Sequence, residues 1–460
     1  MPEKYLKMIL NSPVYDVAHE TPLDRAPRLS DKLENNVFIK REDLQPVFSF
    51  KIRGAYNKIV QLSPSEKQRG VIAASAGNHA QGVALAAERL RIKATIVMPE
   101  TTPEIKIDGV KKFGAKVILH GDDFSTAFAK AQEIANENSL VFIPPFDDPF
   151  VIAGQGTIAL ELLRQYTKNI HAIFVPIGGG GLIAGIGSYI KMVRPEIKII
   201  GVESDESASM YASIKKGRRI TLKNVGIFAD GVAVAQVGKE PFRLAKKVVD
   251  EIVLADVDQI CAAVKDLFED TRAIAEPSGA LAVAGMKNYI RDNKISGKTL
   301  IAINCGANVS FDRLRHISER ANYSEAREAL FAVTIPEKKG SFLAFCKVLG
   351  KRSITEFNYR YSSSKEAHIF VGLALTEGKP ERLKIQETFK QHGYETEDLT
   401  ENDMAKLHIR HMVGGRLNSN EVERIYRFEF PERPGALLNF LNRMGQKWNI
   451  SLFHYRNHGS

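Results

Sequence analysis

The segment Ser49-Phe50-Lys51-Ile52-Arg53-Gly54-Ala55 decides the fold and the chemistry of this chain. It follows Lys40-Arg41-Glu42-Asp43 and precedes two glycine-punctuated loops. Most lysines only keep a protein surface soluble, but a partly buried lysine can lose its proton and react with a carbonyl group. The context of Lys51 therefore indicates a Schiff-base lysine.

The two loops follow predicted strands and open predicted helices. In the first loop, Ser75-Ala76-Gly77-Asn78-His79-Ala80-Gln81-Gly82, N–H groups at the helix start could bind a substrate carboxylate. An ordinary Ser or Asn N-cap would have the same sequence. In the second loop, Gly178-Gly179-Gly180-Gly181-Leu182, the glycines allow the backbone to approach a phosphate closely.

The second loop also permits a different interpretation. Gly179-x-Gly181-x-x-Ala184, followed by Glu203, meets the loose dinucleotide fingerprint of glycines and a later acidic residue. That interpretation leaves Lys51 and the loop containing Asn78 without a role.

Short β-branched runs alternate with amphipathic segments from about residue 36 onward, which predicts an α/β fold with buried parallel strands. Helices are predicted at Ala80 to Leu90 and Phe124 to Asn138. The predicted strands are Val71 to Ala74, Ala94 to Met98, Lys116 to Leu119, Ala172 to Val175, Lys198 to Val202 and Leu300 to Ile303.

Composition limits the function classes. The chain has 460 residues, enough for two to three domains, and its net charge of +10 is dispersed, so no nucleic-acid partner is predicted. Cys261, Cys305 and Cys346 have no C-x-x-C spacing, which is typical of a reducing compartment and gives no zinc site. No apolar window reaches about 18 residues, so a cytoplasmic protein without a membrane partner is expected.

Residues 331 to 460 contain a diverged internal repeat after a charged segment. Phe331 to Arg360 and Phe428 to Arg456 share a pattern of strand, loop, helix and strand. The first copy continues through a strand at His368 to Ala374, a helix around Glu381 to His392 and a last strand near His408, which makes a ferredoxin-like βαββαβ unit.

The second copy stops at Ser460, before its third strand. Two strands and one helix are too few to fold alone. We therefore expect a truncated copy that packs on the first copy or on a neighbouring subunit.

Together, the lysine, the Asn78 loop and the tetraglycine loop resemble those of pyridoxal-phosphate enzymes with the tryptophan-synthase-β fold, called fold type II. Within that group the chain is similar to the biosynthetic threonine dehydratase (threonine ammonia-lyase) family from about Val14 to Arg320, and its tail resembles that family's paired ACT-like regulatory region. The resemblance implies a catalytic region at 1–320 with a small subdomain at about 50–150. It also implies a neck at 321–330, a first ACT-like domain at 331–415 and a truncated second one at 425–460.

The same resemblance implies a role for each motif residue. Lys51 would hold the aldehyde of pyridoxal 5'-phosphate, Phe50 would lie against the ring, and Asn78 would bind the ring 3-oxygen. The loop from Gly178 to Leu182 would hold the phosphate, and Cys305 would lie beside the pyridine nitrogen. Ser75, Gly77, Asn78 and His79 would surround the substrate carboxylate.

Two departures from related families exclude other chemistry. Racemases of this fold have a second serine where this chain has Ala76, so racemisation is disfavoured. Some relatives bind a divalent cation between a Glu and an Asp six residues on, whereas here Glu203 is followed by Ser209, so no metal is expected.

The family resemblance implies conversion of L-threonine to 2-oxobutanoate and ammonia, with L-serine as a slower substrate. It also implies inhibition by isoleucine, opposition by valine and a homotetramer. Tyr359 and its repeat partner Tyr455 match positions where effectors could be sensed, although both could be packing residues. A serine/threonine dehydratase with altered regulation and a non-catalytic amino-acid sensor remain alternatives.

Overall fold

A computed structural model describes residues 2–324, 328–338, 340–361, 366–376, 378–400, 402, 426, 436–444 and 452–456. The last strand predicted near His408 lies outside these residues. The chain forms two compact units, Met1–Ala321 and Asn322–Ser460.

The first unit contains two sheets. The larger sheet has the strand order β1-β2-β10-β7-β8-β9 and the smaller has β5-β4-β3-β6. All pairs are parallel except β1 with β2. The strands are β1 Leu23–Arg25, β2 Asn36–Arg41, β3 Val71–Ala74, β4 Ala94–Met98, β5 Lys116–Leu119, β6 Val141–Phe142, β7 Ala172–Pro176, β8 Lys198–Ser204, β9 Glu251–Ala255 and β10 Thr299–Asn304.

Helices connect these strands. They are α1 Pro2–Leu10, α2 Pro27–Leu33, α3 Lys51–Val60, α4 Pro64–Arg69, α5 Asn78–Leu90, α6 Glu104–Lys111, α7 Phe124–Glu137, α8 Pro149–Gln165, α9 Gly181–Val193, α10 Ser209–Lys216, α11 Lys239–Val248, α12 Val257–Thr271, α13 Pro277–Asn293 and α14 Phe311–Ser324. Local sequence explains several starts. Asp148, for example, accepts the N–H groups of Phe150 and Val151 just before the proline that begins α8.

The α/β prediction is confirmed. All six predicted strands are present, and the two predicted helices correspond to α5 and α7. The strands could be predicted because a strand that is covered on both faces needs apolar residues throughout. In β3 and β7, for example, every residue is buried.

A fully buried charge network attaches α3 to the large sheet. The Arg53 guanidinium lies 2.8 Å from Glu42 Oε2 and 2.5 Å from Glu161 Oε1, and Lys40 Nζ lies 2.6 Å from Glu161 Oε2. Two cations and two carboxylates balance, so no net charge is buried. Because Arg53 lies two positions after Lys51, the network also holds the start of the lysine-bearing helix in place.

The second unit is a five-stranded sheet with the order β14-β11-β13-β12-β15, in which all pairs are antiparallel. Its strands are β11 Glu328–Pro336, β12 Ile354–Tyr361, β13 Glu366–Ala374, β14 Glu395–Asp398 and β15 Leu452–Arg456. Its helices are α15 Ser341–Leu349, α16 Lys379–Gln391 and α17 Ala436–Met444.

The βαββαβ unit is already complete at β14, which pairs with β11 directly after α16. The prediction that the last strand of this unit lies near His408 is therefore wrong, because β14 is the strand that completes it. The strand Glu395-Thr396-Glu397-Asp398 has no apolar residue because it is a short strand at the sheet edge.

The second copy packs on the first, as expected. Its strand β15 pairs with β12, and Leu437 and Leu441 of α17 join the core that contains Phe345 and Phe357. None of the helices in the described part of the chain combines the length and apolarity that a bilayer crossing requires.

Candidate active site

Lys51 is the first residue of α3, directly after Phe50 at the helix N-cap. Its Nζ donates a hydrogen bond of 3.1 Å to the Pro145 carbonyl oxygen and lies 5.3 Å from the centre of the Phe50 ring. The side chain is partly buried.

Burial lowers the pKa of Lys51 from 10.5 to about 8, while Cys305 and Glu276 oppose this shift. The pKa of the Cys305 thiol is itself raised well above 9 by burial, so the thiol is uncharged when Lys51 titrates. Glu276 is therefore the group whose charge opposes the shift. The amine can become neutral near physiological pH, which a nucleophile or a base requires.

The tetraglycine loop lies between β7 and α9 and passes too close to its neighbours to carry side chains. A Cβ on Gly178 would lie 2.9 Å from Val232 Cα, and one on Gly179 or Gly181 would meet Phe146. Gly180 has φ +91°, a left-handed conformation that favours glycine. Because the first N–H groups of a helix have no partner within it, this loop can hold a phosphate.

Asn78 begins α5 after β3 and is held at both ends of its amide. Its Nδ2 donates to Glu276 Oε1 at 2.6 Å, and its Oδ1 accepts from Asn308 Nδ2 at 2.6 Å. Glu276 Oε1 also accepts from Ser278 Oγ at 2.6 Å, and Oε2 accepts from the Asn308 backbone N–H at 3.0 Å.

Glu276 is buried, and burial raises the pKa of its carboxyl, with a further rise from nearby Asp230. Hydrogen bonds from Ser278 and Asn78 act in the opposite direction, because they favour the ionised carboxylate. The carboxylate is thus a buried acceptor surrounded by donors.

Cys305 directly follows β10 and is buried. Its thiol donates to the Ser278 carbonyl oxygen at 3.3 Å. A neutral sulfur beside a pyridine nitrogen does not enforce protonation of that nitrogen as a carboxylate would.

All nine predicted cofactor residues line one cavity. These are Phe50, Lys51, Asn78, Gly178, Gly179, Gly180, Gly181, Leu182 and Cys305. The cavity fits pyridoxal phosphate in three respects: an amine of lowered pKa, a glycine loop without room for side chains, and an amide held by hydrogen bonds.

Ser75, Gly77 and His79 are not among the residues that line this cavity. Ser75 Oγ accepts the Gly77 N–H at 3.2 Å, so these two residues shape the turn before Asn78. His79 Nε2 lies 2.9 Å from the Ile143 carbonyl oxygen. Burial and nearby Lys51 lower the pKa of His79 to about 3, so it is neutral. Their contact with a substrate carboxylate remains a prediction.

Sequence reasoning missed several lining residues: Pro145, Phe146, Gln155, Pro176, Gly231, Val232, Glu276 and Ser278. It also missed Asn308 as a partner of Asn78. One usable signal was the acidic residue Glu276, which directly precedes the proline that begins α13. Its closeness to Cys305 arises from the fold and is not visible in the sequence. Of the others, Gln155 lies in α8, Pro176 in β7 and Ser278 in α13, and the rest lie in connecting segments; none of them belongs to a motif that marks a site.

Glu203 has a role that neither the dinucleotide nor the metal interpretation supplies. Its two carboxylate oxygens accept the N–H groups of Met210, at 2.8 Å, and Tyr211, at 2.7 Å, at the start of α10. Burial raises the pKa of Glu203 to about 7. Within the described residues, no group of three or more His, Cys, Asp or Glu side chains is placed to hold a metal.

In the second unit, the Tyr359 hydroxyl donates to Glu337 Oε2 at 2.8 Å, and its ring stacks on Phe342 with centres 5.2 Å apart. Tyr455 lies on β15 opposite Phe357. Tyr359 therefore packs in the core and also contacts a charged group.

Comparison with known proteins gives consistent results for both units. The family described as pyridoxal-phosphate dependent enzyme matches residues 14–306. The family described as the C-terminal regulatory domain of threonine dehydratase matches residues 319–409 and 414–460.

Individual relatives agree with these families. The chain is 56% identical over 459 residues to the L-threonine dehydratase biosynthetic IlvA of Burkholderia multivorans, covering 99% of this chain and 90% of the relative. The protein of the same name from Pasteurella multocida is 57% identical over 458 residues, covering 99% and 89%. The processed form of threonine deaminase isoform 2 from Solanum lycopersicum superposes with a TM-score of 0.68 at 52% identity, covering 70% of this chain and 93% of that one.

Proposed function

Because the chain belongs to the biosynthetic threonine dehydratases of the pyridoxal-phosphate-dependent enzyme family, we propose that it converts L-threonine to 2-oxobutanoate and ammonia. The observation that carries the proposal is the position of Lys51. Its amine, with a pKa of about 8, lies in the same cavity as the glycine cradle and Asn78.

Bound pyridoxal phosphate draws electrons from an amino acid and so makes its Cα proton acidic. Lys51 would hold the cofactor and then, as a neutral amine, take that proton. The Pro145 carbonyl oxygen is a hydrogen-bond acceptor for this amine and fixes its direction. The N–H groups of the loop from Gly178 to Leu182 would hold the phosphate, and Asn78 would hold the ring.

Elimination of the β-hydroxyl suits a site with a neutral group at Cys305. The electron pair left at Cα would form the new Cα–Cβ double bond while the pair of the broken Cβ–O bond leaves with the hydroxyl, so a strongly protonated ring is not needed. Threonine is proposed as the main substrate and serine as a slower one. The loss of one methyl contact is worth only about 1–3 kcal/mol, so serine turnover should be reduced rather than absent.

The test is production of 2-oxobutanoate from L-threonine by the purified protein supplied with pyridoxal phosphate. Lys51→Ala should abolish both turnover and the visible absorbance of the lysine-bound cofactor. Lys58→Ala, on the same helix but paired with Asp148 at 2.7 Å, is the matched control and should retain both. A Lys51→Ala protein that stays yellow and active would remove Lys51 from the mechanism. A colourless, inactive wild type would favour the amino-acid sensor.

For the second unit we propose regulation by isoleucine, opposed by valine. Support comes from the match of residues 319–409 and 414–460 to a threonine dehydratase regulatory domain and from the Tyr359–Glu337 pair. Tyr359→Phe keeps the ring against Phe342 but removes the hydroxyl. It should weaken isoleucine inhibition while the uninhibited rate stays normal, and an unchanged inhibition curve would exclude the hydroxyl from sensing.

We further propose that the enzyme acts as a cytoplasmic homotetramer. The two ACT-like copies, proposed at 331–415 and 425–460, suit subunit contacts through sheet edges and helix faces. Light scattering of the purified protein measures the assembly directly, and a monomer at working concentration would contradict it.

A further inference from the structure

We propose that Glu276 is a positioning residue that fixes the orientation of the Asn78 amide, so that an N–H of Asn78 is available to the ring oxygen of the cofactor. This inference rests on the proposed function, because it concerns how Asn78 meets the ring of pyridoxal phosphate. Glu276 and Asn308 together form the Asn78 clamp.

The clamp determines which side of the Asn78 side-chain amide carries the NH₂ group and which carries the oxygen. An amide carries two N–H donors and a carbonyl with two lone pairs, whereas an ionised carboxylate can only accept. Asn78 meets the Glu276 carboxylate on one side, at 2.6 Å, and the NH₂ group of Asn308 on the other, at 2.6 Å. The reversed amide would place oxygen against carboxylate and NH₂ against NH₂.

Asn308 cannot turn to accommodate a reversed Asn78. Its second N–H donates to the Val47 carbonyl oxygen at 2.9 Å, and its Oδ1 accepts from Gln81 Nε2 at 3.3 Å. Both N–H groups of its amide are therefore used. Its backbone N–H also bonds Glu276, so the two parts of the clamp hold each other.

Glu276 is fixed just as tightly. Ser278 Oγ bonds the same oxygen as Asn78, and the backbone N–H of Glu276 donates to the Gly306 carbonyl at 3.1 Å. A Cβ on Gly306 would lie only 2.7 Å from Glu276 Oε1, so this approach requires glycine. The three donors keep the carboxylate an acceptor.

The clamp leaves Asn78 one N–H and one lone pair that no described residue uses. Since Asn78 lines the cavity, that N–H is the group a ring oxygen of the cofactor would accept from. Glu276 thus acts through Asn78 and is a positioning residue rather than a catalytic one.

The test is a double-mutant cycle on cofactor affinity. Glu276→Gln, Asn78→Ala and the double variant are compared with wild type for pyridoxal phosphate dissociation constant by equilibrium dialysis, and for the position of the visible absorbance band. Each single variant should bind about 10- to 100-fold more weakly, as expected when a charge-assisted hydrogen bond is lost. Because Glu276 acts through Asn78, Glu276→Gln should cost nothing further once Asn78 is Ala.

Glu203→Gln is the matched control, since Glu203 is also a buried carboxylate that accepts two N–H groups but lies outside the cavity. It should lower the unfolding temperature and leave cofactor affinity unchanged. Additive losses in the cycle, or wild-type affinity and absorbance in Glu276→Gln, would overturn the inference.

If Glu276→Gln does not fold, Asn308→Ala removes the other half of the clamp and takes its place in the same cycle. A wild type that binds no cofactor refutes the proposed function and this inference together. If the wild type binds the cofactor and the affinity losses in the cycle are additive, the inference is refuted but the proposed function is not.

Discussion

Reconstitution of the cofactor-free protein should accelerate tenfold per pH unit and level off near pH 8, because only neutral Lys51 can attack the cofactor aldehyde. Burial lowers the pKa of Lys51 from 10.5 to about 8. At pH 7 about one tenth of Lys51 is then neutral, against about 0.03% of an ordinary lysine. The advantage is roughly 300-fold at equal intrinsic reactivity.

The assay is stopped-flow mixing of cofactor-free protein with pyridoxal phosphate, followed by visible absorbance from about pH 6 to 10, a range that begins below the lowered pKa of Lys51 and ends close to that of an ordinary lysine. The cofactor's own ionisation is removed by dividing by the rate constant of a free alkylamine in the same buffers, expressed per neutral amine. Glu276→Gln should move the midpoint down, since it removes the negative charge that opposes the shift. Cys305→Ser should not move it, because that thiol is uncharged.

A rate that continues to rise tenfold per unit beyond pH 9 would refute the reasoning. It would mean that Lys51 has the pKa of an ordinary lysine and that burial does not control its charge.

Three further predictions follow from other parts of the first unit. Arg53→Met leaves the buried Glu42 carboxylate without its ion-pair partner and Glu161 with Lys40 alone, and it should lower the free energy of unfolding by about 3–5 kcal/mol, measured by urea denaturation. Gly179→Ala should abolish cofactor binding in dialysis because its Cβ would enter the Phe146 ring, whereas Gly297→Ala, at an open position with φ +67°, should cost only about 1 kcal/mol and bind normally. Lys51→Met should stabilise the cofactor-free protein below pH 8 by up to about 3 kcal/mol, since the lowered pKa destabilises charged Lys51 there, and the gain should disappear above about pH 10.5.

The strands of the first unit were predictable because burial on both faces demands apolar residues throughout. The tetraglycine loop was also predictable, because its backbone passes so close to neighbouring atoms that only glycine fits there. Lys51 and Asn78 were found through these neighbours and not through their own residue types.

Glu276 and Asn308 could not be found in this way. Asn78 lies 198 positions from Glu276 and 230 positions from Asn308. The sequence around Glu276 or Asn308 contains no pattern that indicates a contact with Asn78. A polar side chain becomes functional here because chain folding brings it beside another. The strand β14 was missed for a related reason, since an exposed edge strand has no apolar pattern to read.

The charges around the cavity explain why this site can hold a neutral lysine. Lys51, Glu276 and Cys305 are the titratable residues that line it, and burial keeps the thiol neutral. His79, just behind Lys51, is neutral as well, because burial and the lysine lower its pKa to about 3. Glu276 is the carboxylate that lines the cavity, and its oxygens accept hydrogen bonds from Asn78, Ser278 and Asn308. The residue that orients Asn78 is therefore also the one whose charge opposes the lowered pKa of Lys51, so that Glu276 bears on both the ring contact and the base.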